Sequence, residues 1–176
     1  MKFLEKDLEE IIFEANNDEL EKKGLPINGK IFRQLRIGNY GISDLITFER
    51  YHEEYIDYHF DNEKGIVYEA KLKSVLYITV YELKKEVISV SAFIQAVKYV
   101  KGIKRYLEKR NFYHEVKYNI VLIGKNINPN SDFIFLPDVI SRDAVTFFTY
   151  KYGIDGLEFK RIRFYKLTNE GFGYEN

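Results

Sequence analysis

Residues 75–85, VLYITVYELKK, constrain the fold more than any other stretch of the chain. The β-branched and aromatic run from Val75 to Tyr81 reads as a strand, and it is apolar enough to be buried. A buried strand needs neighbours along its edges and cover over its faces, so the remaining sequence must supply a sheet and helices to pack on it. The run also ends in charge. Its even positions are Leu76, Ile78, Val80, Glu82 and Lys84. One face of the strand therefore turns from apolar to ionic. Taken alone, Glu82 and Lys84 are compatible with an ordinary solvated strand end.

The flanking sequence supplies partners. Leu4, Leu8, Ile11, Ile12 and Ala15 recur at helical spacing, so residues 4–15 are expected to form a first helix, weakened at NND (16–18). KKGLPINGK (22–30) is a loop, IFRQLRIG (31–38) a strand, and NYG (39–41) a break. ISDLITFERY (42–51) alternates, with Ile42, Asp44, Ile46 and Phe48 on one face and Ser43, Leu45 and Thr47 on the other. Residues 52–74 read as an added hairpin turning at DNEKG. Phe93, Ala96, Val97, Val100, Ile103 and Leu107 make the apolar stripe of a second helix over 90–110. YNIVLIG (118–124) is a short buried strand. A loop follows, then a short helix within FLPDVISRDA, then two strands around GIDG between 145 and 167. The expected architecture is one α/β domain over residues 1–170 with a mixed sheet, followed by a frayed tail over 171–176.

Composition narrows the function classes. Lys and Arg number 27, as do Asp and Glu, so no global basic field marks a nucleic-acid partner and any such surface must be local. The absence of cysteine excludes a disulfide scaffold and a thiolate zinc site. His52, His59 and His114 show no close metal-ligand spacing. No apolar run approaches the ~20 residues needed to span a bilayer, and MKFLEKDLEEIIFE has no signal-peptide core, so a soluble cytoplasmic protein without membrane contact is expected.

If the strands carrying Asp44 and Glu82 pair with these faces aligned, two carboxylates and a lysine converge at a sheet edge. Two carboxylates suit Mg²⁺ or Mn²⁺, which take oxygen ligands and retain water. Such an ion acidifies bound water and shields a phosphate's charge, and a nearby lysine orients the water or stabilises developing charge. Glu-x-Lys alone is a weak signal, and the chain holds a second one at Glu69-Ala70-Lys71.

GISDLIT, then VLYITVYELKK, then FIQAVKYV together resemble the PD-(D/E)xK nuclease superfamily. That resemblance implies a restriction-endonuclease-like fold: a mixed central sheet flanked by helices, with core order α-β-β-β-α-β and here an added hairpin. It implies that Asp44 and Glu82 hold a metal, that Leu83 offers its backbone carbonyl, and that Lys84 positions water or charge. Gln95-Ala96-Val97-Lys98-Tyr99 is similar to the Gln-x-x-x-Tyr helix of RecB-like members, which places Gln95 and Tyr99 beside the substrate. Gln95, Tyr99, Gly102 and Tyr106 would form a stripe apart from the apolar one. EKDLEEII resembles the opening helix of such nucleases and points to Glu9 as a supporting carboxylate. Helical phase does not single out Glu9, because Glu5, Glu9, Glu10 and Glu14 all lie off the apolar stripe. The resemblance covers residues 3–125 and is loose beyond them. It departs at Ser43, where a Pro is common, and in the long gap from Asp44 to Glu82.

The resulting expectation is a Mg²⁺- or Mn²⁺-dependent nuclease hydrolysing phosphodiester bonds of nucleic acid, DNA by the family's usual habit. A homodimer is favoured if duplexes are cut, since one such site cuts one strand. Lys98 and Arg105, with Lys101, Lys104, Lys109 and Arg110, either track phosphates or form a solvated helix face. The alternatives are a non-catalytic nucleic-acid- or protein-binding module on the same fold, and a small structural or regulatory protein whose polar pairs are coincidental.

Overall fold

A computed structural model describes residues 4–112, 114–127, 145–154 and 156–162. Helix α1 (Glu5–Glu14) forms where the first apolar stripe lies, and Leu8 and Ile12 are fully buried. The weakening at NND turns out to be a second start. Asn16 caps the short helix α2 (Asn17–Lys22) by accepting from Glu19 N–H at 2.9 Å, the expected role of Asn before a helix.

The central sheet has six strands in the order β1-β2-β3-β5-β7-β8. They are β1 (Lys30–Arg36), β2 (Ile42–Asp61), β3 (Gly65–Leu83), β5 (Glu115–Gly124), β7 (Val145–Gly153) and β8 (Gly156–Ile162). Strands β1, β2 and β3 run antiparallel to one another, β3 pairs β5 and β5 pairs β7 in parallel, and β8 returns antiparallel. The sheet is thus mixed and the domain α/β, as expected. A two-residue strand β4 (Val87–Ile88) pairs in parallel with β6 (Asn126–Ile127), the latter inside the segment read as a loop. The short helix expected in FLPDVISRDA and the tail lie outside the described residues.

The expected hairpin is not an insertion between two separate strands. Strand β2 runs unbroken for 20 residues and β3 for 19, and they pair from Leu45↔Tyr81 out to Asp61↔Gly65. The turn at 62–64 is closed by Asp61, whose Oδ1 accepts from Glu63 and Lys64 N–H at 2.9 Å.

The pleat divides the core between the two faces of the sheet. Odd positions Leu45, Tyr81, Leu83, Val121 and Ile123 pack with Leu8, Ile12 and Leu20 of α1 and α2. Even positions Ile46, Ile78, Val80, Ile120 and Leu122 pack with Ala96, Tyr99 and Ile103 of helix α3 (Val90–Lys109). The buried stripe of α3 differs from the expected one. Val97 is 40% exposed, whereas Tyr99 and Gly102 are buried. The cause is a close approach of α3 to the bend after β1: a Cβ on Gly102 would lie 2.5 Å from Ile37 Cγ2 and 2.7 Å from Tyr40 Cδ2. A side chain at this position fits only if Ile37 and Tyr40 shift.

Candidate active site

The register builds the site. Leu45 faces Tyr81, and one step further along the antiparallel pair the same register carries Asp44 to Glu82. Both lie on the even face, beyond the apolar positions that α3 covers. Leu83 N–H donates to Asp44 Oδ2 at 2.8 Å, fixing the carboxylate against the end of β3. Lys84 N–H donates to Ile123 O at 2.7 Å, so the ladder to β5 continues past the end of β3. Lys84 Nζ in turn lies 2.8 Å from Glu82 Oε1. Asp44, Glu82 and Lys84 therefore converge, which answers the expectation about strand alignment.

Glu69 and Lys71 are not part of this group. They sit far along the hairpin, where Glu69 faces Asp57 and Lys71 Nζ is 2.6 Å from Asp57 Oδ2 and 3.4 Å from Glu69 Oε2. Their pattern is an exposed cross-strand ion pair.

Electrostatics at the cluster follow from burial. Glu82 is 1% exposed, and desolvation, with the Asp44 charge beside it, raises its carboxyl to about 7 against the pull of Lys84. Burial likewise raises Asp44 to about 6, partly offset by the Leu83 N–H and Lys84 and reinforced by Glu5 and Glu9. Burial would lower the Lys84 ammonium, but the Glu82 hydrogen bond and the charges of Glu82, Glu5 and Asp44 outweigh it, so its pKa stays above the ordinary value. Lys84 is a fixed cation here.

Two carboxylates of α1 take different roles. Glu9 is buried and held by side chains of β1: Arg33 pairs with its Oε1, and Gln34 Nε2 donates to Oε2 at 2.5 Å. Gln34 adopts φ +50°, a left-handed conformation rare for a residue with a side chain. Glu5 is the α1 carboxylate that touches the cluster. Its Oε1 lies 3.5 Å from Lys84 Nζ, and its Oε2 accepts from Lys85 N–H at 3.2 Å. The sequence reading did not select Glu5. It sits one turn before Glu9 on the same helix side, and a helical phase cannot tell which turn reaches the strand ends.

Helix α3 contributes by positioning. Tyr99 hydroxyl donates to Ile42 O at 2.7 Å and accepts from Gln95 Nε2 at 2.7 Å. This pins the start of β2, two residues before Asp44. Gln95 is exposed, as are Lys98 and Arg105. Arg105 donates to Tyr40 hydroxyl and lies over its ring, 5.9 Å from the centroid. Lys101, Lys104, Lys109 and Arg110 are exposed along the same helix and its end.

The donor set suits a hard cation. Glu82 Oε2 is buried and has no hydrogen-bond partner among the described residues, which is costly unless something else meets it. Asp44 supplies a second carboxylate. Among the described residues no group of three or more His, Asp or Glu is gathered closely enough to hold a metal. An ion here would take two carboxylates and fill its remaining positions with backbone oxygen and water, a pattern usual for Mg²⁺. In comparisons with family models, with curated proteins and with solved structures, the chain matches none.

Proposed function

We propose that the chain is a metal-dependent nuclease of the restriction-endonuclease-like class, hydrolysing phosphodiester bonds of nucleic acid, with DNA the expected substrate. The observation that carries this reading is the convergence of Asp44, Glu82 and Lys84 at the ends of β2 and β3 beside an unpartnered buried oxygen of Glu82. With the short α2 and the two-residue β4 set aside, the order α1, β1, β2, β3, α3, β5 supports this reading.

Asp44 and Glu82, with the Leu83 carbonyl, would hold Mg²⁺ or Mn²⁺. When bound, the ion acidifies water and shields phosphate charge. Asp44 is oriented for this by the Leu83 N–H. Lys84, held protonated by its acidic neighbours, serves as a donor and a positive charge toward the phosphate or the attacking water, and not as a base. Glu5 and Glu82 bracket the Lys84 ammonium, and Glu9 acts at one remove by fixing Arg33 and Gln34 of β1. Tyr99 is a positioning residue, since its hydroxyl is engaged by Ile42 and Gln95. The exposed lysines and arginines of α3 offer a phosphate track beside the cluster.

Plasmid, linear duplex and single-stranded DNA, with RNA as comparison, incubated with Mg²⁺ or Mn²⁺ provide the test. Wild type should cleave at least one of these, and Asp44→Ala and Lys84→Ala should not. Equal cleavage by all three proteins would assign the activity to a contaminant.

A second reading, a non-catalytic binding module on the same fold, is favoured by the Lys84–Glu82 ion pair, which already engages one oxygen of Glu82 from within. It predicts nucleic-acid or protein binding that is indifferent to chelator and to Mn²⁺.

A further inference from the structure

The hairpin formed by β2 and β3 outruns the sheet. Strand β1 accompanies β2 no further than Phe48, and β5 accompanies β3 from Val75 onward. Over residues 49–61 and 65–74 the two strands pair with each other alone among the described residues. The two-stranded arm, the ten pairs from His52↔Ser74 to Asp61↔Gly65, is roughly 34 Å long at about 3.4 Å per residue.

Its two faces differ in character. The odd face carries ion pairs such as Lys71 with Asp57, and its base is tied to β5 by Lys73–Glu115 and Lys117–Glu53. The outer part of the even face is a ladder of apolar rungs: Ile56 opposite Ala70, Tyr58 opposite Tyr68, and Phe60 opposite Ile66, followed toward the sheet by Leu72 opposite Glu54. This face continues the one that α3 covers over the sheet proper, but on the arm it is bare. Ile56, Tyr58, Phe60, Ile66, Tyr68 and Leu72 are each 59–73% exposed. A two-stranded ribbon is marginal in water, and a contiguous apolar patch of this kind marks a surface meant to be covered.

We infer that this face is a dimerisation surface, packing against the same face of a second copy of the chain. The inference does not rest on the nuclease reading. Three features favour a second copy. First, the three outer rungs, Ile56–Ala70, Tyr58–Tyr68 and Phe60–Ile66, carry no charge, so two identical faces meet there without like-charge repulsion, as a two-fold interface requires, and Glu54, opposite Leu72, falls at the rim of the patch. Second, covering the six side chains removes roughly 100–150 Å² apiece, given about 150–250 Å² for a whole aromatic side chain. Over two copies that is on the order of 1,200–1,800 Å², within the range of about 1,200–2,000 Å² for stable interfaces. Third, between Tyr55 and Lys71 the acids Asp57, Asp61, Glu63 and Glu69 outnumber Lys64 and Lys71, which opposes both nucleic acid and an anionic membrane as the occupant. Sheet faces packed in this way sit about 10 Å apart with interdigitated side chains.

Sedimentation equilibrium of the full chain over a wide concentration range tests this. Wild type should reach twice the 21.0 kDa of one chain. Tyr58→Glu and Phe60→Glu should each weaken self-association by about tenfold or more, the effect of removing a central anchor. Both side chains are exposed, so the circular dichroism spectrum should stay unchanged, and melting should fall only as far as the loss of the dimer requires. The chain has no cysteine, so single reporters can be added cleanly. Tyr68→Cys should cross-link two copies through a short bismaleimide, and Glu69→Cys, on the opposite face, should not. A monomer at every concentration overturns the inference, as does a dimer unaffected by either glutamate or cross-linked equally at both cysteines. Binding of the monomer to neutral phosphatidylcholine vesicles, lost in Phe60→Glu, overturns it in favour of a lipid surface.

Discussion

The backbone of Leu83 holds the side chain of Asp44: its N–H donates to Asp44 Oδ2 at 2.8 Å across the β2–β3 pair. One bond thus joins the last residue of β3 to the acidic residue of its neighbour β2, and it sets which way the carboxylate faces. Asp44→Ala leaves a buried N–H without a partner, which costs about 1–3 kcal/mol. Asp44→Asn retains an acceptor and should recover most of that stability in urea unfolding while remaining inactive. Equal stability of the two variants would mean that the bond does not organise the site.

The buried carboxyls impose a pH dependence on the metal-free protein. Asp44 and Glu82 are held at about 6 and about 7, above their unfolded values, so the fold binds more protons than the unfolded chain between those values and roughly pH 4. Stability from these groups is present at low pH and lost as pH rises through 6 to 7. Glu82→Gln should remove much of this slope and stabilise the metal-free protein at pH 8 by about 1–3 kcal/mol. Thermal melts from pH 5 to 8 in chelator measure it, and an unchanged slope in Glu82→Gln would refute the assignment.

Divalent cations should act in the opposite sense. An ion that binds the folded cluster and not the unfolded chain raises the melting temperature. Mn²⁺ should therefore raise Tm most at pH 8, where both carboxyls are ionised, and leave Asp44→Asn and Glu82→Gln unmoved. A Tm rise shared by both variants would place the ion elsewhere.

On the proposed nuclease reading, Lys84 should separate metal binding from cleavage. Removing its ammonium releases Glu82 Oε1 from the 2.8 Å ion pair. Lys84→Ala should then bind Mn²⁺ at least as tightly as wild type, by calorimetry, yet cleave nucleic acid about 10²-fold more slowly or worse, the scale of losing one transition-state donor. Weaker Mn²⁺ binding in this variant would instead make Lys84 a structural partner of the carboxylates.

The approach of α3 to the bend after β1 is a close packing contact of the site's frame. Gly102→Ala places a methyl 2.5 Å from Ile37 Cγ2, and relieving that overlap should cost about 1–3 kcal/mol. Differential scanning calorimetry would show it, and a variant as stable as wild type would mean that the bend yields freely.

Much of this was legible in local patterns. Alternation over 42–51 and the face of 75–85 placed Asp44 and Glu82 on one side of their strands, and the register then brought them together. What local pattern cannot give is contact between distant segments. Glu5, not Glu9, reaches Lys84 because α1 crosses the strand ends at its first turn, a matter of how the helix is placed over the sheet. Tyr99 and Gly102 are buried, although periodicity put them outside the apolar stripe, because their cover comes from residues 37–42. The choice between Glu82 and Glu69 was open in sequence because both precede a lysine by two. Pairing decides it by setting Glu69 opposite Asp57.

The unbroken ladder from Leu45↔Tyr81 to Asp61↔Gly65 makes the length of the arm a free variable. Excising equal numbers of residues from β2 and β3 and closing the gap with a two-residue turn leaves Asp44 across from Glu82, because the pairing nearer the sheet is untouched. Removing numbers that differ by one slips the register by one residue and turns one carboxylate to the other face. The chemistry and the reach of this protein can therefore be lengthened, shortened or exchanged independently, by deletions that respect parity.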